Sequence, residues 1–228
     1  MNTIQITGLL AILGAILYAI GDTFLLANKV DINNYPKLLP FKKLLSDSEN
    51  FVSIPSEKMM WGALLGVFAT PLVIAGFWHV YQGLSGANEV LRAITLLLFG
   101  IASVIGTFVH GSFFYAGEYV KALNAVSEDS QNVLVELFTR HRKVLIITYA
   151  PLLIMIIIAS GLFSVTVATS QTLFPTWMAA INPVTMTIVW LLLKRILPAF
   201  ITDPLEGAGF NVAYFVFFVC TTITLWSA

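Results

Sequence analysis

The chain has 228 residues, of which 58% are hydrophobic and only 11% are charged, and its formal net charge is zero. An average soluble domain has about 25% charged residues, so this composition excludes an ordinary soluble domain and indicates a protein that crosses a membrane several times. The zero net charge and the lack of a Lys/Arg run argue against a nucleic-acid partner, and the single Cys220 excludes an internal disulfide.

Six stretches of the chain are long and apolar enough to cross a bilayer, whose core of about 30 Å requires roughly 20 apolar residues per helix. We therefore expect an all-α, polytopic transmembrane bundle that forms one integral membrane domain over residues 1–228. The predicted spans are about 5–27, 57–82, 92–117, 143–167, 175–197 and 205–227. The first stretch lacks the basic region of a secretory signal, so we expect it to be retained as a helix.

Local signals suggest where several of these helices begin or bend. Ser56 is predicted to cap the N-terminus of span two. Within span five, Pro183 is predicted to kink the helix and Asn182 to compensate for the carbonyl that the proline frees. At the start of span six, Asp203 is a predicted N-cap and Pro204 the first helical residue.

The connections between spans one and two and between spans three and four are the two longest. Residues 40–45 form a short amphipathic turn, which either lies in the inner-leaflet interface or packs on the protein. Residues 127–137 carry apolar side chains at helical spacing, so we predict that they extend span four beyond the membrane.

The basic residues predict the orientation of the bundle. Eleven of the twelve Lys and Arg residues lie beside the connections that follow spans one, three and five, and Arg92 alone lies on the other side. Because positive residues remain in cytoplasmic connections, we predict that both termini are non-cytoplasmic and that residues 28–56 and 118–142 are cytoplasmic. The predicted location is the cell inner membrane.

Asp22 and His110 are the only acidic, basic or histidine side chains well inside the spans. A charge in hydrocarbon costs at least about 2.5–3.5 kcal/mol, so such residues usually have a function. With a rise of about 1.5 Å per residue, Asp22 lies within about 8 Å of the cytoplasmic edge. His110 falls in the inner half of span three, so we expect the two side chains to meet at the same depth.

Other polar residues fall at this depth on spans one, three, four and six. We therefore expect a site between these four spans. The candidate catalytic residues are His110, Asp22 and Glu118, and the candidate ligand-binding residues are Tyr18, Tyr115, Tyr149 and Asn211. The sequence identifies neither a metal site nor a cofactor.

Each of these residues also has a structural interpretation. Asp22 could accept hydrogen bonds from a neighbouring helix or pair with a base near the inner end, and His110 could be an interhelical hydrogen-bond partner. Glu118 could be a solvated or paired charge at the end of its span. Asn211 could join two helices without touching a ligand.

Several chemistries are disfavoured by what the sequence lacks. There is no mid-span lysine for a retinal Schiff base, and the three histidines lie at different depths, which argues against haem held by two histidines. The HExxH, GxSxG and GxxxxGK[ST] motifs are absent, which disfavours zincin, serine-hydrolase and P-loop mechanisms.

Two functions from different classes fit the remaining pattern. The first is a protein that binds or modifies a membrane lipid or a lipophilic small molecule entering from the inner leaflet, with His110 as general acid/base and Asp22 or Glu118 orienting it. The second is a small proton- or cation-coupled carrier or channel. The outer half and middle of span five offer few polar groups, which favours a one-sided site. A membrane scaffold without a ligand is a third possibility.

Overall fold

The computed structural model describes residues 1–227, and these contain six α-helices of eleven residues or more and no strand. The predicted all-α class is therefore confirmed. Four of the helices are long and apolar enough to cross a membrane, which fits an integral membrane protein. They are α1 (Thr3–Leu26), α2 (Ser56–Gly83), α3 (Glu89–Ala125) and α4 (Glu128–Thr169). Helix α4 runs without interruption from Glu128 to Thr169, so residues 128–137 are helical and continuous with the fourth predicted span.

The helices in the fifth and sixth predicted spans are shorter than expected. Helix α5 (Pro183–Leu193) has 11 residues and α6 (Gly209–Thr224) has 16 residues. At about 1.5 Å per residue they measure about 16 and 24 Å, below the roughly 30 Å of a bilayer core. The predicted kink at Pro183 is wrong, because the Asn182 side chain accepts hydrogen bonds from two backbone amides and caps a helix that begins at Pro183.

The other two predicted helix starts also need correction. Asp203 ends the short helix Ala199–Thr202, whereas α6 begins several residues later with Ala208 as its N-cap. Pro55 occupies the N-cap position of α2 and makes no side-chain capping bond. Ser56 is the first helical residue, and its hydroxyl donates to Glu118 instead. Both predictions were based on the residue type alone. Whether a residue caps a helix also depends on the tertiary contacts that it makes.

The connection between α1 and α2 packs on the bundle. It contains three 3₁₀ helices, Ile32–Asn34, Leu39–Phe41 and Ser48–Ser53, and the short helix Lys42–Leu45. Leu38 and Leu45 are buried in a cluster that also contains Met59 of α2 and Val120 of α3. This burial favours the packed alternative for the amphipathic turn at residues 40–45.

Small residues let α1 lie closely against α2. A Cβ added at Gly21 would lie 2.7 Å from the carbonyl oxygen of Gly62, which no side chain could occupy without a shift. Helix α1 also packs on α6, α3 packs on both α2 and α4, and α5 packs on α6. The helices thus surround a space that α1, α3, α4 and α6 share.

The end of the bundle that carries both termini is filled by aromatic side chains. Phe77 of α2 stacks on Phe99 of α3, with ring centroids 4.3 Å apart. The fully buried phenylalanines of this aromatic core are Phe77, Phe99, Phe163, Phe217 and Phe218. The space between the four helices is therefore closed by packed rings toward the termini.

Candidate functional site

Asp22 and Asn211 form a buried polar contact between α1 and α6. The Asp22 residue is only 6% exposed. The amide nitrogen of Asn211 donates to its Oδ2 at 2.5 Å. A carboxylate removed from water requires such a donor, because an unpartnered charge is costly to bury. Asn211 therefore compensates part of the burial of Asp22.

His110 of α3 approaches the other oxygen of the same carboxylate, as the sequence predicted. Its Nδ1 lies 3.8 Å from Asp22 Oδ1, which is within ion-pair range but longer than a hydrogen bond. Nδ1 is buried and has no hydrogen-bond partner in the described part of the chain. The two groups form an acid–base pair with unused hydrogen-bonding capacity.

Gly66 of α2 determines where the imidazole of His110 can lie. A Cβ at position 66 would come within 2.4 Å of Nδ1, so the ring rests directly against the helix backbone. The ring of Tyr18 lies on another side, with its centroid 4.7 Å from that of the imidazole. The ring of His110 is thus held between two helices.

The buried pair of Asp22 and His110 changes its net charge when it gains or loses one proton. With a single shared proton the pair is neutral overall, either as carboxylic acid and imidazole or as carboxylate and imidazolium. Because a net charge is much costlier to bury than a neutral pair, the protons of Asp22 and His110 are coupled. The pair can therefore exchange a proton with a polar group placed beside it.

A line of hydroxyl groups fixes Tyr18 next to the pair. The phenol oxygen of Tyr18 lies 2.6 Å from Oγ1 of Thr70, and the hydroxyl of Thr107 donates to the same oxygen at 2.9 Å. These bonds tie α1, α2 and α3 together at the depth of His110. Each hydroxyl lies within hydrogen-bonding distance of another, so the line holds the phenol ring in one orientation.

A cavity of about 140 Å³ lies beside these residues, between α1, α3, α4 and α6. The sequence predicted a site between the same four spans. Its polar lining comes from Tyr18, Asp22, Ser103, His110, Tyr149, Asn211 and Tyr214. The remaining lining is largely hydrocarbon and includes Val109, Phe113, Leu152, Ile156 and Phe210. Its volume is close to that of a cavity of about 150 Å³ that takes up benzene or xenon.

Two of the candidate residues do not line the cavity. Glu118 accepts a hydrogen bond of 2.6 Å from Ser56 and lies 3.6 Å from Lys121, and its side chain is 41% exposed. Its contacts match the alternative of a paired charge at the end of a span. Tyr115 is 60% exposed and packs edge-on against Phe114.

Sequence reasoning missed two polar residues of the cavity wall. Tyr214 lies three residues after Asn211, and Ser103 lies seven residues before His110. Both spacings return to the same face of a helix. Helical periodicity counted from the predicted site residues would have found them.

A charged cluster lies at the opposite end of the bundle from the aromatic core. Lys194 donates to Glu206 at 2.5 Å, and Lys29 lies 3.4 Å from the same carboxylate. The hydrogen bond from Lys194 lowers the pKa of Glu206. No three His, Cys, Asp or Glu side chains within residues 1–227 are placed to hold a metal ion together.

Comparison with known proteins identifies a family but no function. The model for DUF6796, a family of unknown function, matches residues 1–228. No curated protein and no solved structure matches the chain.

Proposed function

We propose that this chain, which belongs to the DUF6796 family, binds a lipid or lipophilic small molecule in the cavity between α1, α3, α4 and α6. The observation that carries the proposal is the composition of the cavity wall. Its surface is largely hydrocarbon, and a buried acid–base pair stands on one side. Small-molecule sites typically combine an apolar lining with a few convergent polar groups.

The proposed location is the cell inner membrane, with six spans and both termini on the non-cytoplasmic side. The distribution of Lys and Arg supports this orientation. In the fifth span, the 3₁₀ helix Thr176–Ala180 would continue the apolar path of α5 toward one surface. Under this topology the cavity opens to the cytoplasm or the inner leaflet, because Asp22 lies near the end of α1.

The proposed roles follow from what each side chain can do at the cavity wall. His110 would accept a proton from, or donate one to, a polar group of the ligand, and Asp22 would stabilise its charged form. Asn211 holds the carboxylate in place through its hydrogen bond. Tyr18 and Tyr149 would contact the polar part of the ligand. An apolar tail would lie against Phe113, Leu152 and Phe210.

The packing toward the termini favours a one-sided binding site over a carrier. A carrier requires polar groups that continue to the far surface. Here the space beyond Tyr18 is occupied by Phe77, Phe99 and the other fully buried rings of the aromatic core. The packed rings leave no room for a hydrated cation, and the polar side chains buried at this end, among them His79 and Thr222, lie outside the cavity lining.

A cavity-filling substitution tests the proposal. Gly106 lines the cavity, and a Cβ there has only ordinary contact, 3.6 Å from Leu152 Cδ1. Gly106→Leu should fill the space. We expect mass spectrometry of the protein extracted in mild detergent to find a lipophilic molecule on the wild type that is lost from this variant.

The matched control is Gly161→Leu, because a Cβ at Gly161 meets nothing within 4 Å. This variant should retain the molecule at the wild-type level. Equal retention by Gly106→Leu and the wild type would overturn the proposed site. If no lipophilic molecule accompanies the wild type at all, the scaffold interpretation is favoured.

A further inference from the structure

A second cavity adjoins the first at the end of the bundle opposite the aromatic core. It has a volume of about 470 Å³ and lies between the end of α1, residues 47–51 and residues 206–207. We call it the groove. Leu26 and Gly207 line both the groove and the cavity between the four helices. The two spaces are therefore direct neighbours.

Leu26 and Gly207 touch each other where the groove meets the cavity. A Cβ at Gly207 would lie 2.2 Å from Cδ1 of Leu26, so the leucine side chain lies directly on the glycine. These two residues therefore form the part of the wall that the groove and the cavity share.

The charge of the groove is unbalanced. Lys29 is the one cation that lines it in the described part of the chain, and Lys29 pairs with Glu206. Glu206 is in addition bound by Lys194. The other two lining carboxylates, Asp47 and Glu49, have no basic residue beside them within the groove lining. The groove thus presents a net negative surface.

Among these carboxylates, Glu49 gives the strongest indication of what the groove binds. It is only 9% exposed, and its Oε2 is buried with no hydrogen-bond partner among residues 1–227. A buried carboxylate oxygen without a donor costs free energy. An apolar residue at this position would have avoided this cost. The Glu49 side chain lines the groove, so a donor that enters the groove would meet its carboxylate group.

The rest of the groove wall fits a donor that carries hydrocarbon. Leu25 and Leu26 from α1 and the buried ring of Phe51 line it beside the carboxylates. A divalent metal ion fits poorly, because the described residues offer no cluster of three carboxylate, His or Cys ligands. An organic ammonium group combines positive charge, several N–H donors and an apolar stem.

We propose that the groove binds the ammonium group of an amphiphilic amine through Glu49 and Asp47, while its hydrocarbon part extends past Leu26 and Gly207 into the cavity. This inference rests on the proposed function and specifies the class of ligand. The ammonium group can come from a lipid headgroup or from a free lipophilic amine. The chemistry that Glu49 recognises is the same in both.

The experiment compares hexylamine with 1-hexanol, which share a chain length and differ in the charged group. Both are titrated by calorimetry at pH 7 into the protein in phosphatidylcholine nanodiscs, and the heat of empty nanodiscs is subtracted. We expect hexylamine to bind the wild type about tenfold more tightly than 1-hexanol, the size of one charge-assisted hydrogen bond. Glu49→Gln should abolish this preference and leave 1-hexanol binding unchanged.

Glu136→Gln is the matched control, because Glu136 is an exposed carboxylate of α4 that pairs with Arg140. It should keep the preference for the amine. Asp47→Asn provides a second test if Glu49→Gln does not fold, and it should reduce the preference.

The outcomes separate the two proposals. If hexylamine and 1-hexanol bind the wild type equally, or if the preference survives both groove variants, the ammonium inference is wrong while the proposed cavity stands. If neither compound binds, both proposals fail. A phosphatidylethanolamine headgroup analogue is titrated in the same way to distinguish the two sources of the ammonium group. If the analogue binds and hexylamine does not, the inference is wrong for free amines and the site is assigned to a lipid headgroup.

Discussion

The amide of Asn211 and the carboxylate of Asp22 are joined by a hydrogen bond of 2.5 Å between residues 189 positions apart. This bond links α1 to α6, the first and last of the six main helices. It also leaves Asp22 Oδ1 facing His110 at 3.8 Å. The same carboxylate therefore contributes both to packing between helices and to the polar wall of the cavity.

Substitution Asp22→Asn should separate these two contributions. The amide can still bond Asn211, so we expect the free energy of unfolding to fall by no more than about 1 kcal/mol, the scale of an interhelical hydrogen bond. The loss of the ionisable acid beside His110 should abolish retention of the ligand. Thermal unfolding in detergent and mass spectrometry of the bound ligand measure the two effects.

The control for this substitution is Asp129→Asn, an exposed position in the first turn of α4. It should leave ligand retention unchanged and lower the free energy of unfolding by no more than about 1 kcal/mol, because an acid in the first turn of a helix is favourable. If Asp22→Asn destabilises the protein while the ligand stays bound, Asp22 serves only to hold the helices together.

Gly66→Ala should displace the imidazole of His110. Its new Cβ would lie 2.4 Å from Nδ1, so either the ring or the helix must move. Overpacking of this kind costs about 1–3 kcal/mol. Ligand retention should fall together with thermal stability.

Gly111→Ala on α3 is the matched control, because the nearest atom to a Cβ there is 3.8 Å away. In the absence of a clash, alanine in a helix should stabilise the protein by up to about 1 kcal/mol. Equal behaviour of the two variants would contradict the close contact between Gly66 and His110.

The ion pair of Glu206 should make stability depend on pH. Its pKa is lowered from an ordinary value of 4.5, chiefly by the hydrogen bond from Lys194. A lowered carboxyl pKa stabilises the folded state above the ordinary value, and the stabilisation is lost as pH falls through the lowered value. Wild type and Glu206→Gln should therefore differ in melting temperature at pH 7, and the difference should shrink as the pH falls below 4.5.

Glu136→Gln, with its exposed pair to Arg140, serves as control for the loss of one carboxylate. Its melting temperature should lie close to that of the wild type both at pH 7 and at low pH, because surface ion pairs contribute about 0–1 kcal/mol. A constant difference between Glu206→Gln and the wild type down to pH 3 would show that the charge of Glu206 is not what stabilises the fold.

Cysteine labelling tests the proposed orientation. In a Cys220→Ala background, Asp47→Cys should react with an impermeant maleimide only after the cells are opened. Ser85→Cys, an exposed position between α2 and α3, should react in intact cells. The reverse pattern would invert the topology and move the cavity to the outer leaflet.

Depth along a helix could be predicted from the sequence, but position around the helix could not. Asp22 and His110 were found because ionisable groups are rare within hydrocarbon. Tyr115 follows His110 by five residues, which rotates it by about 140° to another face. Glu118 follows by eight residues, which places it about 12 Å further along the axis. Contacts across the bundle were needed to separate these cases.

The sequence pattern also could not predict the lengths of the helices in the second half of the chain. Residues 175–197 are predominantly apolar, and hydropathy alone cannot distinguish one long helix from a short helix preceded by a turn. The helix is short because the Asn182 side chain caps its start, where it accepts hydrogen bonds from the backbone amides of Val184 and Thr185. Glu49 lies in a connection whose fold depends on contacts with α1 and α3, so the groove had no signal in the sequence.

The close contact of His110 with Gly66 and Tyr18 has a consequence for binding entropy. Fixing a mobile side chain on association costs about 0.5–1.5 kcal/mol. The imidazole lies against the backbone at Gly66 and 4.7 Å from the Tyr18 ring centroid, so its rotational freedom is already lost when the protein folds. A ligand that contacts His110 therefore meets a preorganised partner, and none of its binding free energy is spent on ordering that ring.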